Sequence, residues 1–168
     1  NIRLGMLALV TGASSGIGLE YAKQLARDYH TDLLLVSNQE EEQKNVAADL
    51  AAQYGVKTIP LYADLSKQDA AENLLQYCKD NNLVVDILIN NAGLAVGVDK
   101  EHEGNLDEWD VVIDTNVKAL LSMTRLVVPG MVERGRGHII NIGSIAGDAA
   151  YPGGSVYCAT KAAVKALS

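Results

Sequence analysis

Five times along this chain a short aliphatic run breaks into a turn or loop and a helical pattern follows. The runs cover residues 6–10, 33–36, 57–61, 85–89 and 138–142. Most of them lack the apolar-polar alternation of a half-exposed strand, so they read as strands buried on both faces. Long helical segments between such strands force parallel crossovers, which lay helices over each side of one sheet. The pattern predicts an α/β fold with a doubly wound parallel sheet, the Rossmann arrangement, as one domain over 1–168. Capping-box spacings mark the helix starts: Asn38 with Glu41 for a helix to Tyr54, Ser66 with Asp69, and Asn105 with Glu108 for a long helix to Arg134. Residues 90–104 and 146–154 read as loops, and a last helix opens near Ser155.

Bulk properties remove several classes of function. The formal net charge is −7 and the basic residues are dispersed, so nucleic acid, which needs a clustered basic face, is not an expected partner. No apolar run approaches the roughly 18 residues of a membrane span, and the N-terminal residues do not read as a signal peptide. Cys78 and Cys158 are too few for a disulfide framework and read as buried thiols of a cytoplasmic protein. His30, His102 and His138 lack metal-ligand spacing, so no metal site is expected. Ser144 has no G-x-S-x-G elbow around it, which argues against a serine hydrolase.

The most specific local signal lies where the first strand becomes the first helix: Thr11-Gly12-Ala13-Ser14-Ser15-Gly16-Ile17-Gly18. Gly12 suits a tight turn, Gly16 lets backbone approach a pyrophosphate, and Gly18 allows helix and strand to pack closely. The helix N-terminus then offers free N–H groups and a positive dipole end to phosphates. An ordinary glycine-rich loop is the alternative, and placement between strand and helix favours the phosphate-binding reading.

The spacing T-G-x-x-x-G-x-G resembles that of the short-chain dehydrogenase/reductase family, and later segments carry the resemblance on. They are Asp64-Leu65 after the third strand, Asn90-Asn91-Ala92-Gly93 after the fourth, Asn116 in Asp114-Thr115-Asn116-Val117, Ser144 after the fifth, and Tyr157-x-x-x-Lys161. The resemblance implies a nicotinamide cofactor held by Gly12, Ser14, Ser15, Gly16, Ile17, Gly18, Ser37, Asn38, Asp64, Leu65, Asn91, Ala92, Gly93, Tyr157 and Lys161. The end of the second strand, Ser37-Asn38, has no acid to bind both ribose hydroxyls, nor the arginine common in NADP enzymes of the family. Without the acid NADP(H) is favoured over NAD(H); a plain turn-and-cap role for the pair is the alternative.

Tyr157 and Lys161 are four residues apart and share a helix face. A free tyrosine titrates at about pH 10, and an adjacent ammonium favours its phenolate. The resemblance implies a catalytic set: Tyr157 as acid/base, Lys161 lowering its pKa and binding the nicotinamide ribose, Ser144 holding the substrate oxygen, and Asn116 positioning a relay water. The expected reaction is hydride transfer between the cofactor and an alcohol or carbonyl. The segments 114–116 and 137–161 resemble the branch that oxidises 3-hydroxy acids, serine among them, with NADP. Family members continue for two more strands and a substrate-covering loop, so the fold is expected to be C-terminally incomplete at Ser168. A nucleotide-binding or interaction module without turnover is the competing reading. The family's four-helix contact, built from the long helix and the Tyr157 helix, implies a homodimer or homotetramer.

Overall fold

The computed structural model describes residues 5–91 and 106–142, and of 106–117 the helical backbone alone. Along the chain run β1 (Leu7–Thr11), α1 (Gly16–Tyr29), β2 (Asp32–Ser37), α2 (Glu40–Tyr54), β3 (Thr58–Tyr62), α3 (Ala70–Asp80), β4 (Ile87–Asn90), α4 (Leu106–Arg134) and β5 (His138–Asn141). The strands form one parallel sheet in the order β3-β2-β1-β4-β5. The sheet grows outward from β1 through β2 to β3, then restarts on the other side of β1 with β4. That reversal leaves a crevice at the C-terminal ends of β1 and β4, where open α/β sheets bind ligands.

Two separate cores explain the unbroken apolar runs. Ala8, Val10, Leu33, Leu35, Ile87 and Ile89 point to one face and meet Ala22, Leu25 and Ala26 of α1 and Ala47 and Leu50 of α2. The alternate residues Leu7, Leu9, Leu34, Val36, Leu88 and Ile139 point to the other, against Leu74 and Cys78 of α3 and Met123, Val127 and Met131 of α4. A pleated strand alternates its side chains between faces, so a sheet covered on both sides needs aliphatic residues at every position. Pro60 sits in β3, an edge strand of the described sheet, where a missing N–H is tolerated.

At the opposite end of the sheet one carboxylate ties strands together. Asp86 is 4% exposed; its Oδ2 accepts the Leu7 N–H at 3.2 Å, and Arg136 Nε lies 3.4 Å from Oδ1. Its backbone N–H donates to Leu7 and its carbonyl accepts from His138. The residue therefore aligns the starts of β1, β4 and β5.

Helix starts depart from the capping-box expectation. α2 opens at Glu40 with Gln39, not Asn38, at the N-cap, and no side chain caps it. α3 opens at Ala70 with Asp69 at the N-cap and again no side-chain bond; Ser66 turns back to Asp64 instead. Asn105 lies outside the described residues. The fourth strand runs to Asn90, which the sequence reading assigned to the following loop. Interstrand hydrogen bonding carries Asn90 into the ladder opposite Asn141.

Candidate functional site

The glycine turn is held by three strands at once. Ala13 N–H donates to Val36 at the end of β2. The Thr11 hydroxyl donates to the Ile89 carbonyl at 3.3 Å and accepts the Asn91 N–H at 2.9 Å. Asn91 Nδ2 in turn donates to the Gly12 carbonyl at 3.2 Å. Gly12 has φ +62°, and a Cβ there would stand 2.9 Å from the Asn91 carbonyl oxygen. A Cβ on Gly18 would collide with Asn91 Nδ2 and the Gly12 carbonyl. Gly18 thus packs against the turn and the residue after β4. Gly16 has φ +58° with no atom within 4 Å of its would-be Cβ, so open space lies on its outer side. Close contacts explain glycine at positions 12 and 18, and the left-handed backbone explains it at position 16.

Charge selects between the two helix N-termini that face the crevice. The first turn of α1 carries no acid, and the Ser15 side chain makes no capping bond to its N–H groups. The first turn of α2 carries Glu40, Glu41 and Glu42, all exposed. An anion is therefore favoured at α1 and disfavoured at α2. The only basic residue near those acids on α2, Lys44, pairs with Glu40 at 3.3 Å and Glu41 at 3.9 Å. Ser15 is the extended N-cap of α1, and Ile17 in its first turn is 56% exposed. This apolar side chain lies open beside the turn.

Beyond the turn, Ser14, Ser37 and Gln39 join in a hydrogen-bonded ring. Gln39 N–H donates to Ser37 Oγ at 3.0 Å, Ser37 Oγ donates to Ser14 Oγ at 3.1 Å, and Ser14 Oγ donates to Gln39 Oε1 at 2.7 Å. Sequence reading named Ser14, Ser37 and Asn38 and missed Gln39, whose side chain crosses 25 residues of chain to reach Ser14. It also missed Thr11 as the pin between β1 and β4. A second amide cluster extends toward β5: Asn90 Nδ2 donates to Asn141 Oδ1 at 2.8 Å and stands 3.3 Å from Thr124 Oγ1. Asn38 is exposed. Asp64 follows β3, where its Oδ1 accepts both the Ser66 N–H at 3.0 Å and the Ser66 hydroxyl at 2.5 Å. The hydroxyl bond first, then the backbone bond, holds its carboxyl below the usual range. Leu65 packs against the core beneath α3 and α4. Asn116 falls within α4, of which only the backbone is described at that position, and Ala92, Gly93, Ser144, Tyr157 and Lys161 lie outside the described residues.

A parallel sheet reversing at β1/β4, with a glycine turn feeding an acid-free helix N-terminus at that reversal, defines the nucleotide-binding α/β class. Residues 6–168 match the short chain dehydrogenase family, and the chain belongs to it. It is 40% identical over 163 residues to the NADP-dependent 3-hydroxy acid dehydrogenase YdfG of Salmonella typhi, covering 97% of this chain and 64% of that protein. It is 39% identical over 160 residues to the NADP-dependent 3-hydroxy acid dehydrogenase of Schizosaccharomyces pombe, covering 95% and 62%. Among solved structures, L-sorbose reductase of Gluconobacter frateurii, complexed with NADPH and L-sorbose, superposes with a TM-score of 0.75 at 30% identity. That match covers 99% of this chain and 62% of the reductase. A short-chain dehydrogenase of Sphingobium yanoikuyae in complex with NADPH gives 0.72 at 37% identity, covering 97% and 62%. The chain thus spans somewhat under two thirds of the length of these relatives.

Proposed function

We propose that residues 1–168 form a single dinucleotide-binding domain of an NADP(H)-dependent oxidoreductase that interconverts an alcohol and a carbonyl, with a 3-hydroxy acid as the substrate class. The observation that carries this reading is the turn itself. Its backbone is pinned by Thr11 and Asn91, open over Gly16, and continuous with the one helix N-terminus of the pair that welcomes an anion. Those features suit a cofactor pyrophosphate. The relatives named for NADP and 3-hydroxy acids support cofactor and substrate class.

Gly12, Ser14, Ser15, Gly16, Ile17 and Gly18 would cradle the phosphates, with Ser37 and Asn38 at the adenosine ribose and Asp64 and Leu65 beside the adenine. Asn91, Ala92 and Gly93 would line the path to the nicotinamide. When bound, NADP(H) supplies the hydride acceptor or donor. The chain supplies the proton chemistry. In the oxidative direction the Tyr157 phenolate accepts the proton of the substrate hydroxyl as that carbon loses its hydride. Lys161 favours the phenolate and binds the nicotinamide ribose. Ser144 donates a hydrogen bond to the substrate oxygen, and Asn116 holds a water that passes the proton on. The protein works as a homodimer or homotetramer in the cytoplasm. Exposed Leu121 and Val132 on α4 support the assembly, and buried Cys78 suits a reducing compartment.

The test is a pair of measurements on the whole protein. Cofactor affinity is read from NADPH fluorescence, and turnover from absorbance with 3-hydroxy acids as substrates. Tyr157→Phe should keep NADPH affinity and lower kcat by about 10²–10⁴-fold. Near-wild-type turnover in that variant would refute the acid/base assignment. Absence of dinucleotide binding would refute the reading as a whole.

A further inference from the structure

On the sheet face that meets α4, Leu88 of β4 and Ile139 of β5 are aliphatic. Two residues on, at the C-terminal ends, both strands switch to asparagine on that same face. Asn90 and Asn141 stand opposite each other in the ladder and are 5% and 4% exposed. Their side-chain amides meet at 2.8 Å, and the Thr124 hydroxyl of α4 stands 3.3 Å from the Asn90 amide nitrogen. A hydroxyl both donates and accepts, so this contact holds whichever end of the amide faces it. Aliphatic residues would fill the layer without burying polar atoms. What the amides add is direction, because a hydrogen bond fixes the relative placement of its partners more narrowly than an aliphatic contact does.

The contact falls at a particular point along α4. At the C-terminal end of the helix Arg134 donates to the Val85 carbonyl, just before β4 begins. Met131 and Val127 then pack along the sheet face, and Thr124 meets the last residue of β4. The helix runs on in the same direction toward its start at Leu106. Asn116 is eight residues beyond Thr124, about 12 Å further along the axis.

Resting on the function proposed above, we propose that Thr124 is a positioning residue for the reaction. It fixes the height and tilt of α4 at the ends of β4 and β5, and through them the place of Asn116 in the proton relay. Asn90 and Asn141 form the matching half on the sheet. The chain leads directly from Asn90 to Asn91 and, three residues after Asn141, to Ser144. One cluster therefore sets three segments of the site relative to one another. Cofactor binding does not depend on it, because the glycine turn is held by Thr11 and Asn91.

The experiment is steady-state kinetics on the whole protein with NADP+ and a panel of 3-hydroxy acids, beside NADPH titration by fluorescence and thermal melts. The variants are Thr124→Val, Thr124→Ser, Asn116→Ala, the double variant Thr124→Val with Asn116→Ala, and Val127→Ala. Thr124→Val keeps the shape of the side chain and removes its hydroxyl. It should lower kcat by about tenfold and leave substrate KM and NADPH affinity within about twofold of wild type. Thr124→Ser keeps the hydroxyl and should restore most of the turnover. Added to Asn116→Ala, Thr124→Val should cost little more, because it acts through the same residue. Val127 is 7% exposed in the packing of α4 on the sheet. Val127→Ala should lower the melting temperature more than Thr124→Val does and kcat less. The role of Thr124 is refuted, and the proposed function stands, if Thr124→Val turns over as fast as wild type or Val127→Ala lowers kcat as far. Additive losses in the double variant, or no recovery with serine, refute it equally. If wild type binds NADPH and oxidises no acid of the panel, the proposed reaction fails and the role of Thr124 with it.

Discussion

Gly16 and Gly18 are two residues apart in one turn, yet a methyl group added to each meets different physics. At Gly18 it would strike Asn91 and the Gly12 carbonyl, and a backbone neighbour cannot move aside cheaply. Gly18→Ala should therefore destabilise the free protein by about 1–3 kcal/mol. At Gly16 the space is open, so the cost is mainly the left-handed backbone, about 1 kcal/mol. The methyl would occupy the volume proposed for the pyrophosphate. Gly16→Ala should thus lose NADPH binding with little loss of stability. Urea unfolding and NADPH titration of both variants check the contrast, and equal stability losses would contradict it. Gln43, one turn beyond Gln39 on α2, poses the opposite problem. It is 1% exposed, and neither amide atom has a partner among the described residues. An unsatisfied buried amide costs roughly 1–3 kcal/mol, so Gln43→Met, which keeps the length and removes the polar atoms, should raise the urea midpoint. A lowered midpoint would show that the amide is paired.

Elements in this sheet are aligned from both ends. At the C-terminal ends Thr11 and Asn91 couple β1 to β4, and Asn90 couples β4 to β5 through Asn141. At the N-terminal ends Asp86 does the same work for β1, β4 and β5. Asp86→Ala removes the acceptor of the Leu7 N–H and leaves Arg136 without its carboxylate. Losing that one buried acceptor should cost about 1–3 kcal/mol. Asp86→Asn keeps an oxygen for Leu7 and should cost less. Hydrogen exchange at Leu7 distinguishes the two: its amide should exchange faster in the alanine variant than in the asparagine one. Strand type and order of elements were legible because period and length are local properties. The helix starts at Glu40 and Ala70, capped at Gln39 and Asp69, were not. Capping boxes at Asn38 and Ser66 lose to competing local bonds two residues away, Ser37 taking the Gln39 N–H and Asp64 taking Ser66.

For the whole molecule, the proposed assembly makes a further prediction. Leu121 and Val132 are 46% and 47% exposed on α4. They lie eleven residues apart, three helical turns, and so share one face. Leu121→Glu combined with Val132→Lys should shift the protein toward monomer in sedimentation at micromolar concentration while leaving the far-ultraviolet dichroism intact. A wild-type monomer at that concentration would contradict the assembly. The amino-acid sequence by itself pointed to the parallel sheet and its two covered faces, because unbroken aliphatic runs in most of its strands, β1, β2 and β4 above all, need cover on both sides. It also determined the place of the glycine turn and, through the order of its motifs, the family. Only the tertiary structure decided who touches whom at the crevice. Ser14 meets Gln39 across 25 residues and Asn91 meets Gly12 across 79. Such pairs carry no periodic signature. They arise because the strand order sets the ends of β1, β2 and β4 side by side at about 4.8 Å spacing, within reach of one hydroxyl or amide.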